Sequence, residues 1–151
     1  MAKPCLKLYR LASDGQSVDE STELDITNLI ADGGLQIEHE DLDAKNDNTD
    51  GGRDVKTGKM MRTRIETKHV LTVKLRRITG ADARHIFLAL IPQPYIGNKN
   101  PFIKCRYVCP CAASVVTHTM YCSAINYGAQ RYNRSTDSIC YDGVTFKLIE
   151  Q

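Results

Sequence analysis

The segment "GGRDVKTGKM", Gly51 to Met60, holds the glycine, lysine and threonine that a phosphate-cradling loop would use. Such a loop places four residues between its first Gly and the Gly-Lys pair, then a Ser or Thr for magnesium, then a helix whose N-terminus faces the anion. Here Gly52 and Gly58 enclose five residues and Met60 stands where the hydroxyl belongs. The residues that follow, "MRTRIETKHVLTVKLRR", alternate with the period of a strand: Ile65, Thr67, His69, Leu71, Val73 and Leu75 share one face. The segment is therefore expected to be a turn into a long strand.

Cation sites fare no better. Asn46, Asn48, Asp50 and Gly51 have the spacing that opens a calcium loop, but the closing bidentate Glu is replaced by Thr57 and no helices flank the segment. A tetrahedral zinc site would draw on Cys109 and Cys111 of "CPC", His118 and Cys122. The paired Cys-x2-Cys knuckle is missing, and free Cys suits buried strand positions. Thiols are expected there. His85 has no fixed nucleophile or carboxylate beside it, and no spacing in the chain assembles a nucleophile, base and orienting group. No catalytic, cofactor-binding or metal residue is expected, and the chain is not expected to be an enzyme.

The 151 residues suffice for one domain with a core of its own, and no apolar run is long enough to span a bilayer. The opening "MAKPCLKLYRLASDG" has no signal-peptide pattern, which points to synthesis in a reducing cytosol and against a disulfide framework for the six Cys. Twenty bases against 18 acids leave a net charge of +2, too little for a dedicated nucleic-acid binder. The charge is nonetheless polarised. Seven acids lie between Glu38 and Asp54 against Lys45 and Arg53, whereas Lys56 to Arg64 carries four bases and no acid.

These residues need elements to carry them. "CLKLYRL" alternates as a strand; "SDGQSVDESTE" reads as polar turn material; "LDITNLIADGG" is a strand or one loose helical turn closed by Gly33 and Gly34; "LQIEHEDLD" alternates through Leu35, Ile37 and His39. A mobile loop over about residues 41–59 joins this to the long strand, which is expected to end at Ile78. Thr79 caps a short helix with Asp82 at its third position, and Ala83, Ile86, Phe87 and Leu90 form the stripe that packs on the sheet, Phe87 being the anchor. After "PQPYIGNKNP" come "FIKCRYVC", "SVVTHTMYCSA", "INYGAQRYNRSTDSIC" and "YDGVTFKLIE", read as strands with polar connections. The order strands, helix, strands predicts a single domain of mainly β (α+β) class, an antiparallel β-sandwich with one flanking short α-helix.

The acidic, Gly-rich loop, "RTRIETKHVLTVKL", the short helix after "RRIT" and the closing "GVTFKLIE" together resemble a family of small prophage-encoded tail proteins of Gram-positive bacteria, over residues 24–151. The resemblance implies a structural protein of the virion tail, of the tube or the distal tail, made in the host bacterial cytoplasm. It further implies a homo-oligomeric ring, hexameric in this architecture, with other tail proteins as partners. DNA would be only passing cargo in the lumen, and there would be no membrane partner and no cofactor. In a ring the acidic segment of one chain would meet the basic segment of the next, which makes Asp41, Asp43, Asp47, Asp50, Asp54, Lys56, Lys59, Arg62 and Arg64 the candidate assembly interface. The alternative is a nucleic-acid-binding module that uses the basic stretch 56–77, with Tyr107, Tyr121, Tyr127 and Tyr132 as stacking rings.

Overall fold

A computed structural model describes residues 5–43, 64–91 and 101–151. In chain order the elements are β1 (Leu6–Leu11), β2 (Val18–Asp25), a 3-10 turn (Thr27–Leu29), β3 (Ile30–Asp43), β4 (Arg64–Leu75), β5 (Ile78–Thr79), α1 (Gly80–Leu90), β6 (Phe102–Cys109), β7 (Ser114–Asn126), β8 (Ala129–Asn133), β9 (Ser138–Asp142) and β10 (Thr145–Glu150). Seven strands form one antiparallel sheet in the order β2-β1-β6-β7-β10-β4-β3, and β5-β9-β8 form a second, smaller one. The protein is mainly antiparallel β, with a single short flanking helix among the described residues.

Alternation along the strands builds the core. Leu6 and Leu8 of β1, Ile103, Cys105 and Tyr107 of β6, Met120 of β7, Phe146 and Leu148 of β10, and Leu71, Val73 and Leu75 of β4 are all buried in one cluster. Ile78 and the Ala83, Ile86 and Leu90 stripe of α1 cover it. Thr79 caps the helix as its sequence implies, its Oγ1 accepting from the Asp82 backbone N–H at 3.2 Å. The opposite face is a polar lattice centred on Arg106, whose guanidinium lies 4.8 Å from the Tyr9 ring centroid and donates to the Tyr9 hydroxyl at 3.0 Å and to Thr117 Oγ1 at 3.1 Å. Tyr9 donates in turn to Glu23 at 2.7 Å. Burial first, and then the Glu23 acceptor, push the Tyr9 phenol up to about 12, against the pull of Arg106.

Four details differ from expectation. "VDESTELD" is strand β2, not turn, because an edge strand needs only backbone pairing with β1 and tolerates polar side chains outward. The long strand stops at Leu75, and Ile78 begins β5 in the other sheet. "LDITNLIADGG" combines a 3-10 turn with the start of β3, and the register slips between Ile30 and Leu35. Gly33 takes φ +67° within that slip, a conformation that costs a glycine nothing. Finally, Phe87 is not the helix anchor. It is half-buried on the shoulder of α1 beside Tyr127 and Tyr141, while Ile86 is 1% exposed, because the buried stripe is narrower than the apolar one.

This ordering is open to a direct check in urea melts of single variants. Ile86→Ala is expected to cost about 2–5 kcal/mol, the range for a buried Ile, and Phe87→Ala distinctly less. Thr79→Ala should cost about 1 kcal/mol through the lost cap. A larger loss at Phe87 than at Ile86 would refute the helix orientation.

Candidate functional site

Towards one end of the core face the strands exchange apolar for chemically active side chains. His69 on β4 continues the row of Leu71, Val73 and Leu75; Glu150 on β10 continues Phe146 and Leu148; His118 on β7 precedes Met120; Tyr107 and Cys109 close β6. Because β10 lies between β4 and β7, the Glu150 carboxylate falls between the two imidazoles. Glu150 Oε1 is 3.1 Å from His118 Nδ1, and Oε2 is 3.4 Å from His69 Nδ1. Oε2 also accepts the His69 backbone N–H at 2.8 Å. His39, directly opposite His69 on β3, stacks a tilted ring at 4.9 Å.

The other side of the His69 ring faces sulfur. Its Nε2 lies 3.8 Å from Cys109 Sγ and 3.9 Å from Cys111 Sγ. Cys109 is buried, Cys111 is exposed in the β6–β7 turn, and the two are joined as a disulfide with Cα atoms 5.5 Å apart. The expectation of free thiols throughout is corrected at this pair. A separation of two residues lets a turn bring the sulfurs together without any framework, while Cys5, Cys105, Cys122 and Cys140 remain free. Ala113 closes the turn at φ +50°, the left-handed region that costs a residue with a Cβ about 1–2 kcal/mol.

Electrostatics favour the neutral forms of His69 and Tyr107. Burial pulls the His69 imidazole below its ordinary range, His39 and His118 add to this, and Glu150 partly offsets it. Burial and the Glu150 charge hold the Tyr107 phenol far above its own, and its hydroxyl sits 3.0 Å from His69 Nδ1. Nδ1 of His69 thus faces both the Tyr107 hydroxyl and the Glu150 carboxylate, and Nε2 faces the sulfurs. Two sets of three donors are close enough to share an ion: His69, Cys109 and Cys111, and His69, His118 and Glu150.

The residues singled out from sequence are distributed differently. Cys109, Cys111 and His118 do converge. Cys122 does not join them, its Sγ–H donating to the Ala124 carbonyl at 3.5 Å. Of the candidate assembly residues, Asp41 lies opposite Thr67 and Asp43 opposite Arg64 in the β3–β4 hairpin, so strand extends into the stretch read as a mobile loop. Asp47, Asp50, Asp54, Lys56, Lys59 and Arg62 lie outside the described residues. Of the rings named as a stacking platform, Tyr107 is buried, Tyr121 meets Phe102 edge-on, Tyr127 meets Tyr141, and Tyr132 stands exposed on β8. His85 is exposed on α1.

Among known proteins, the model of a family of unknown function, DUF6711, matches residues 19–151. The chain belongs to that family. The match runs from β2 through β10 and so takes in every residue of the His69 centre. No curated protein matches the chain. No helix among the described residues is long and apolar enough to cross a membrane.

Two measurements test this geometry. By NMR the His69 imidazole should titrate below the ordinary histidine range in the wild type and lower still in Glu150→Ala, because the carboxylate favours the protonated ring; an upward move in the variant would overturn this electrostatic reading. Ala113→Gly should raise stability by up to about 1 kcal/mol, since relief of the left-handed strain exceeds the added chain entropy.

Proposed function

We propose that this protein is a structural subunit of a bacteriophage tail that assembles head-to-tail into rings of the tube or distal tail. The observation that carries the reading is the open seven-stranded sheet. Among the described residues β2 and β3 each pair on one side only, and β3 is a fourteen-residue edge strand. An exposed edge of that length is a template for pairing with another chain unless something covers or repels it. Both edges carry acids: Asp19, Glu20, Glu23 and Asp25 on β2, and Glu38, Glu40, Asp41 and Asp43 on β3. Two such edges repel each other until a base intervenes. Lys56, Lys59, Arg62 and Arg64 supply it when the basic segment of one chain meets the acidic segment of the next, and a heterologous contact of this kind closes into a ring when its rotation permits. The resemblance to prophage tail proteins and the mainly β architecture with a flanking helix support the same reading.

Light scattering and negative-stain images should find rings, sixfold in this architecture, at low salt. Screening over about 8 Å at physiological ionic strength should weaken them as salt rises, with little change in the melting temperature of the subunit. Changing Lys56, Lys59 and Arg62 together to Glu should leave a folded monomer. A wild-type monomer at high concentration and low salt would refute the proposal.

A further inference from the structure

We propose that, with Cys109 and Cys111 reduced, the end of β4 and the β6–β7 turn form a binding site for one zinc ion, ligated by Cys109 Sγ, Cys111 Sγ and His69 Nε2. Zn–S bonds of about 2.3 Å and Zn–N bonds of about 2.0–2.1 Å, at tetrahedral angles, separate the nitrogen and sulfur ligand atoms by roughly 3.6 Å. His69 Nε2 stands 3.8 and 3.9 Å from the two sulfurs, almost equidistant, as the two edges that meet at the nitrogen of such a tetrahedron require.

Support for the ligand atom comes from behind it. On the far side of the ring Nδ1 faces the Tyr107 hydroxyl at 3.0 Å and Glu150 Oε2, which also accepts the His69 backbone N–H; with Nε2 on the metal, both oxygens can accept from Nδ1–H and hold the imidazole in place. Carboxylate–histidine–metal relays use this arrangement to raise ligand basicity. Glu150 is therefore a positioning residue. The alternative set of His69, His118 and Glu150 would need Nδ1 of both histidines unprotonated beside a carboxylate, and it would leave the sulfurs unexplained. Thiolate and imidazole together favour zinc over magnesium or calcium.

The disulfide and the metal site are two states of one cysteine pair. A trialkylphosphine attacks one sulfur, the S–S bond breaks, and water then supplies the oxygen of the phosphine oxide and the two protons of the new thiols. Zinc displaces those two protons as it binds. Three protein ligands leave the fourth tetrahedral position to water.

The full-length chain, reduced with phosphine and kept anaerobic, is titrated with cobalt(II) and then zinc. One equivalent of cobalt should produce tetrahedral d–d bands and thiolate-to-cobalt absorption in the near ultraviolet, and one equivalent of zinc should abolish both. Cys111→Ser, at an exposed turn position, should lose the charge-transfer band and bind at least tenfold more weakly, as should Cys109→Ser. Glu150→Gln should weaken binding about 10- to 100-fold while it keeps the band, as expected of a group that braces the liganding imidazole from behind. His118→Ala and the unreduced protein separate the two donor sets: the first should bind normally and the second should not bind. Failure of the reduced wild type to take up metal overturns the proposal. So does uptake that lacks the charge-transfer band and survives Cys111→Ser.

Discussion

Six residues hold this molecule together. Strand β10, Thr145 to Glu150, pairs with β4 on one side and β7 on the other, and without it the large sheet divides into β2-β1-β6-β7 and β4-β3. Both edges of this central strand are paired, and one face of it serves core and site alike. Phe146 and Leu148 complete the apolar layer under α1, and the same alternation delivers Glu150 to the space between His69 and His118. Fold and site thus depend on one strand in one register. A slip of a single residue would turn Phe146 and Leu148 to the opposite face and remove the carboxylate from both imidazoles.

The polar centre is a continuation of the core, not an addition to it. His39, His69, His118 and Glu150 each occupy the apolar parity of their strand, at the point where Leu, Ile, Val or Met gives way to a titratable group. Groups in such a position are half-desolvated and must satisfy one another, and among the described residues no buried side-chain polar atom lacks a hydrogen-bond partner. The disulfide and the strained Ala113 then fix the β6–β7 turn over the His69 ring.

Much of this was legible. Period-two alternation located β1, β4, β6, β7 and β10, and the Thr79 to Asp82 cap located the helix, because those signals depend only on neighbours in the chain. β2 was hidden because an exposed edge strand owes its conformation to backbone pairing with β1, which leaves no apolar pattern. Phe87 was misjudged because an apolar stripe does not reveal how much of itself the opposing sheet will cover. The site was missed for a topological reason. Cys109, Cys111 and His118 could be named, but His69 and Glu150 join them only once β10 is known to insert between β4 and β7. The histidines on apolar parity were the available sign.

Strand insertion also bears on how fast the chain can fold. Local pairings such as β6–β7 need only a turn, but Leu6 must find Tyr107, and Val70 must find Ile149, before the sheet is whole. Loop closures of that span are costly in entropy and tend to place a chain among the slower folders, in roughly the millisecond-to-second range. Until β10 docks, the facing edges of β4 and β7 are raw, apolar on one face and next to each other in space. A chain in that state is open to pairing with the wrong copy, and the docking of β10 removes the hazard.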